Sequence, residues 1–507
     1  MKKTALLLMI ITIIAKLFGF AGEIALSYFY GTSSISDAYL ISLTIPSVLF
    51  SLIGVGISTG YIPVYNNVIK EKGINHADRF TNNLISFLMT LCFIIITLTL
   101  IFTKQIVGIL ASGFTGETLR LTILFTRIAI LNLGFTGLVY IFNGYLQING
   151  DFISPAIMVI PLNMTILLSI VISAKTNVVV LSIGNTLSVL LQFLLLIPFI
   201  RKKGFRYSFV FDKADKYIKK ISYLAVPIII GASVSQINRL IDRSFASNIT
   251  IGGVSAINYA FKLDAFIQDI FVMTLATIMY PMISKMAAEK NIEGLKKTIF
   301  QTMGGINLFV IPASIGALIF AEPIIILLFG RGAFDSQAIS MTSKALFFYS
   351  IGMIGYGLRE ILLRAFYSLQ GTKAPLFNAL IAIGLNVILN MMFYKYLGIS
   401  GIALATSISI IFSTLLLFIS FRRKVGGFGM KTIGISLIKI LIASSIMGLI
   451  AKTFYYLLNN YIGGNLSLLL SIGVGAIIYF IIIIFMRIEE VDIMVKALKK
   501  KFRITRF

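Results

Sequence analysis

One cysteine, one histidine and a charged fraction of only 12% set the first limits on this 507-residue chain. The lone Cys92 lies in an apolar run, so no intramolecular disulfide can form and the redox compartment stays open. His76 sits in a polar connection and makes no metal cluster. The absence of a Gly-rich loop ending in Lys-Ser or Lys-Thr argues against an intrinsic ATP motor. Nor does a nucleophile, base and metal pattern converge, so an enzyme is not expected. Acids are scarce too, with 19 Asp and Glu against 44 Lys and Arg and a formal net charge of +25.

Hydrophobic residues make up 58% of the chain, which excludes a water-soluble core and points to a polytopic membrane protein. About fourteen apolar stretches between Ala5 and Met486 are long enough to cross a bilayer. They are placed at 5–30, 38–66, 80–103, 121–147, 153–174, 177–200, 221–246, 254–284, 297–320, 341–368, 375–396, 399–421, 432–456 and 463–486. The longest imply tilt or projection into water. Met1-Lys2-Lys3 followed by an apolar run imitates a signal peptide, but the pattern continues through Lys16 to Tyr30, and it is read as a retained first span. Segment 322–340, opening on Glu322-Pro323 and containing Gly330-Arg331-Gly332, is expected to be an external loop with a short interfacial helix.

A charge of +25 could suggest nucleic acid, but the cations follow membrane topology instead. With the N-terminus in the cytoplasm, alternate connections collect Lys70, Lys72 and Arg79, then the run from Arg201 to Lys220, then Lys285 to Lys297, then Arg422 to Lys431. The tail 487–507 adds seven more of the same sign, and the opposite side shows scattered cations such as Lys104 and Lys175. This positive-inside bias puts both termini in the cytoplasm of a cell membrane and leaves no nucleic-acid surface to explain. The basic tail can also lie on anionic membrane lipid.

Similar strings recur about 220 residues apart. Phe199 to Phe205 after the sixth span matches Phe421 to Phe428 after the twelfth, Tyr145 to Gly150 resembles Tyr367 to Gly371, and Leu162-Asn163 recurs as Leu385-Asn386. The expected fold is therefore all-α: a six-helix lobe at 1–200, a basic linker at 201–220, a second six-helix lobe at 221–421 and two extra spans within 422–486. Six spans per lobe preserve orientation, so the repeats share an axis along the membrane normal and enclose a central cavity that opens by rocking.

Charges inside the spans carry the mechanism, because a central Lys, Arg or Asp costs at least about 2.5–3.5 kcal/mol to insert. In the first half these are Lys16 and Glu23, seven apart on one helix face, with Asp37 opening the second span. In the second half Arg239, Asp242 and Arg243 are spaced for an intrahelical network, Lys262 has Asp264 and Asp269 nearby, and Arg359-Glu360 reads as a structural pair. For Lys16 the competing reading is a simple ion pair.

The order of motifs resembles the MurJ/MviN lipid II flippase family of the multidrug/oligosaccharidyl-lipid/polysaccharide exporter superfamily. The carriers are Lys16 to Phe20, the run from Gly31 through Asp37 to Tyr39, Ile45-Pro46, Gly60 to Pro63, Ser235 to Ala246 and Asn258 to Leu263. Together they cover nearly the whole chain. The resemblance implies a cationic cavity for a polyprenyl-pyrophosphate-linked glycan, with the last two spans helping to form a groove for its tail. It assigns Lys16, Glu23, Asp37, Asn163 and Lys262 to substrate binding and transport. It also implies a sodium-binding constellation of Asp242, Asn386, Asn390 and Thr406, whose alternative is interhelical hydrogen bonding. Two departures stand out: Gly22 and Phe50 occupy positions where family members often carry arginine. The expectation is alternating-access flipping of lipid II without bond cleavage. Export of another polyprenyl-linked glycan and cation-coupled antiport of small molecules are the competing readings.

Overall fold

In lipid every backbone N–H and C=O must be satisfied inside its own segment, and the apolar stretches accordingly form helices. The computed structural model describes residues 2–427, 430–486, 488 and 491, without the side chains of 2, 3, 5, 6, 52, 53, 55, 56, 58, 59, 224–235 and 430–433. Among the described residues thirteen helical segments are long and apolar enough to span a bilayer. The expected span at 221–246 lies in a further long helix that contains 224–235, and the basic tail at 487–507 lies outside the described residues apart from 488 and 491.

Two compact units emerge, residues 1–255 with 331–335, and residues 256–330 with 336 onward. In the first, α1 (Lys2–Tyr30), α2 (Ser34–Lys72) and α3 (Ile74–Ile101) are followed by a short α4 (Thr103–Leu110). Then come α5 (Gly116–Ala129), α6 (Asn132–Ile148), α7 (Ile153–Ile157), α8 (Val159–Lys175), α9 (Val179–Lys202) and α10 (Lys216–Ser247). The 39 residues of α2 make a rod of about 58 Å at 1.5 Å per residue, about twice the hydrocarbon thickness. Its basic end therefore stands in water, where Lys216 Nζ and the Tyr217 hydroxyl both reach Glu71 Oε2, at 2.9 and 2.7 Å. Those two donors hold the Glu71 carboxyl below the usual carboxylate range.

The α11 helix (Gly253–Gln268) leads into the second unit. A π-helical turn at Asp269–Met273 joins it to α12 (Thr274–Ala288). Next are α13 (Ile292–Ile319), α14 (Ala321–Phe329), α15 (Ser336–Ser368), α16 (Lys373–Leu397) and α17 (Ile399–Val425). The final pair is α18 (Met430–Ile462) and α19 (Gly464–Phe485). The nine residues of α14 reach only about 14 Å, too short to cross, so a short helix stands in the expected 322–340 segment, and α15 begins inside that segment at Ser336. Dispersion and close backbone approach hold such helices together, because lipid is as apolar as the packed side chains. In the α18–α19 pair, Gly475 lies against Ala451 and Met447, and the Tyr479 hydroxyl donates to the Leu308 carbonyl of α13 at 2.8 Å.

The repeat read from sequence extends to individual hydrogen bonds. The break between α3 and α4 at Phe102 (φ −99, ψ 19) is reproduced between α13 and α14 at Phe320 (φ −109, ψ 22). Lys203 Nζ donates to the Asn149 carbonyl at 3.2 Å in one unit, and Lys424 Nζ donates to the Leu369 carbonyl at 3.1 Å in the other. Ser182 Oγ bonds to the Phe125 carbonyl, and Ser407 Oγ to that of Phe348.

Candidate functional site

The first half of α1 carries Lys16, an exposed cation, with Glu23 half-buried two turns on. Asn163 of α8 donates through Nδ2 to the Ala15 carbonyl at 2.9 Å, so its amide is spent on fixing the helix one residue before Lys16. A Cβ added at Gly19 would sit 3.6 Å from the Asn163 amide nitrogen, an ordinary van der Waals contact. One turn further along, a Cβ added at Gly22 would meet nothing within 4 Å. This position, where members of the resembling family often carry arginine, has room for a Cβ. Phe50 is different, being 6% exposed with its ring 4.9 Å from that of Tyr140. A cation there would be buried in the apolar core of α2 and α6.

At the far end of α1 the turn into α2 is built around Asp37, which is fully buried. Its Oδ2 accepts the Gly252 amide at 2.7 Å, and its Oδ1 accepts the Ser255 amide at 2.7 Å and the Ser255 hydroxyl at 2.8 Å. A carboxylate thus caps the first turn of a helix more than two hundred residues away, where orphan N–H groups and the helix dipole favour an anion. Gly252 is required there, since its φ is +83 and a Cβ would fall 2.5 Å from the Thr32 carbonyl oxygen. Asp37 acts on backbone and a serine rather than standing open as a ligand.

Arg243 of α10 donates through Nη1 to the Leu40 carbonyl at 3.0 Å and also to Thr44 Oγ1, so it fastens α10 to α2. Asp242, beside it, is buried at 5% exposure in the same unit.

In the second unit Lys262 is exposed on α11, two residues before the buried Asp264. Glu360 pairs with Arg364 at 3.0 Å rather than serving as the partner of adjacent Arg359; an i,i+4 spacing faces two side chains, and an i,i+1 spacing does not. Of the four residues assigned to sodium, three converge here. Asn390 Nδ2 donates to Asn386 Oδ1 at 2.9 Å, and Asn386 Nδ2 donates to Thr406 Oγ1 at 3.3 Å, all on buried residues. Neutral amide and hydroxyl oxygens of this kind suit a hard monovalent cation, although Asn386 Oδ1 already serves Asn390. Among the described residues no cluster of three or more His, Cys, Asp or Glu could hold a metal ion.

Comparison with known proteins covers almost the whole chain. The family model described as lipid II flippase MurJ matches residues 26–473. The probable lipid II flippase MurJ of Rickettsia prowazekii is 27% identical over 493 residues, 94% of this chain and 96% of that protein. Its counterpart from Thermotoga maritima is 27% identical over 489 residues, 95% and 96% of the two chains. A solved lipid II flippase MurJ in an inward closed conformation superposes with a TM-score of 0.82 at 26% identity, covering 95% of this chain and 99% of that one. An inward-facing multidrug resistance MATE family transporter of the MOP superfamily, at 15% identity and a TM-score of 0.69 over 83% of this chain, shares the fold.

Proposed function

Because this chain belongs to the lipid II flippase MurJ family and is a multi-pass transporter of lipid II in the cytoplasmic membrane, we propose how its own residues carry the headgroup across. Family membership decides for lipid II over the other polyprenyl-glycan and small-molecule readings. Lys16 and Lys262 each offer the pyrophosphate a positive charge, while the polyprenyl tail remains in lipid. Lysine offers a point charge without the bidentate fork of arginine, so the headgroup is held by charge more than by geometry. Asn163 contributes indirectly, by setting the helix that presents Lys16.

The single observation that carries this reading is the exposure of Lys16 and of Lys262, each on a helix apolar enough to span the bilayer. Asp37, whose buried carboxylate caps the first turn of α11, supports transport by holding that turn in place. With both termini cytoplasmic, outward movement of the anion is favoured by about 2.3 kcal/mol per charge per 100 mV. Sodium adds to this bias, with Asn386, Asn390 and Thr406 as its neutral oxygen donors in the second unit. No bond is made or broken.

Complementation tests the reading. Cells depleted of their lipid II flippase are supplied with this chain, and lipid II exposed on the outer leaflet is measured. Restoration is expected from the wild type, and from Lys16→Arg, but not from Lys16→Ala combined with Lys262→Ala. Full restoration by the double alanine chain would remove both lysines from the mechanism.

A further inference from the structure

Within the first unit, α6 packs against both α3 and α9, and the space between these two flanking helices is a slot of about 1000 Å³. That is the upper end of the roughly 300–1,000 Å³ typical of small-molecule sites. Its walls are apolar: Ile85 from α3, Leu138 and Phe142 from α6, Phe193 and Ile197 from α9. Two exposed arginines, Arg201 and Arg206, complete the lining, and none of the lining residues is acidic.

The end that carries the arginines is built rather than loose. Asn82 Nδ2 reaches the Arg206 carbonyl at 3.3 Å and Ser208 Oγ at 3.0 Å. Asn83 accepts from the Asp212 amide at 2.9 Å and donates to the Asp212 carbonyl at 3.0 Å. Phe87 stacks on Phe211 at 4.6 Å. The segment after α9 is thereby strapped onto α3, with Phe205 buried, and Arg206 joins Arg201 in lining the slot.

We propose that this slot binds an anionic glycerophospholipid of the surrounding leaflet, with its phosphate on Arg201 and Arg206 and an acyl chain along the apolar wall. Apolar side chains of spanning helices form the walls, which suit an acyl chain rather than a soluble anion. Paired arginines select a phosphate whose charge is not cancelled by a choline. The positive-inside pattern puts this end on the cytoplasmic side, where anionic lipid gathers against basic segments. The site is separate from Lys16, Asp37 and Lys262, and its failure would leave the transport reading untouched.

The full-length chain in detergent tests this directly. It has no tryptophan and one buried cysteine, so a thiol-reactive dye at Cys92 reports unfolding. Phosphatidylglycerol is expected to raise the unfolding temperature in a saturable way, and phosphatidylcholine with the same acyl chains is not. R201Q/R206Q should require about tenfold more phosphatidylglycerol. R422Q/R423Q, which removes two exposed arginines elsewhere, should respond like wild type. Native mass spectrometry of Ile197→Trp, which fills the slot, should show loss of a retained phosphatidylglycerol; this readout stands if R201Q/R206Q fails to fold. Equal stabilisation by the two lipids, or an unchanged response in R201Q/R206Q, overturns the proposal. So does a polyprenyl phosphate that uses the same arginines where phosphatidylglycerol does not, since the occupant would then be the cargo's own tail.

Discussion

Ser255 donates to one oxygen of Asp37 twice, through its amide at 2.7 Å and its hydroxyl at 2.8 Å, so that a single serine supplies two of the carboxylate's three bonds from this loop. Hydrogen bonds to a charged group are worth about 1.5–3 kcal/mol each, and donors stranded in a buried site cost more than donors never placed there. Asp37→Ala is expected to lower stability by about 3 kcal/mol or more and to abolish flipping. Ser255→Ala removes only the hydroxyl and is expected to cost about 1 kcal/mol. Thermal unfolding of the three purified proteins measures both steps, and equal losses would show that the hydroxyl and the carboxylate do not act as described.

Gly22 and Phe50 separate two ways of lacking an arginine. Open space beside Gly22 predicts that Gly22→Arg folds normally and binds a pyrophosphate lipid more tightly, read as a lower concentration for half-maximal stabilisation. Phe50→Arg instead buries a cation against Tyr140 and is expected to cost several kcal/mol. If both variants unfold alike, the space at Gly22 does not exist in the membrane.

Asn163→Ala should reduce transport while leaving insertion and expression intact. Loss of its bond to Ala15 costs only about 1 kcal/mol, but frees the stretch of α1 that presents Lys16. Expression level and lipid II exposure, measured in the same cells, separate this positioning effect from misfolding; a parallel fall in both would assign Asn163 to stability alone.

Much of the architecture was legible because lipid imposes it. Apolar windows of about 20 residues and a one-sided distribution of Lys and Arg specify spans, and the matching strings around Phe199 and Phe421 specify the repeat. Breaks inside the spans were not legible. Ile130 and Leu131 divide the fourth expected span into α5 and α6, and Phe102 ends α3 just before α4, without a Gly or Pro at the break. The partner of Asp37 was hidden for another reason: Gly252 and Ser255 lie 215 and 218 positions away, where no local spacing rule applies. Adjacent charges also misled, since Glu360 is satisfied by Arg364 one turn on rather than by Arg359.

Sodium should raise the unfolding temperature of the wild-type protein where potassium does not, if Asn386, Asn390 and Thr406 serve a cation. Asn386→Ala, which removes the amide shared by both hydrogen bonds of the trio, should erase the difference between the two salts. An identical response to sodium and potassium in the wild type would leave the trio as interhelical hydrogen bonding.

Reconstitution of the purified chain into liposomes loaded with lipid II, followed by a membrane-impermeant probe of the headgroup, reads translocation without the rest of the cell. Headgroups should become accessible from the far leaflet with the wild-type chain and stay protected with the Lys16→Ala, Lys262→Ala double variant. Accessibility that is the same in both, or no greater than in empty liposomes, would contradict a lysine-guided passage of lipid II through this protein.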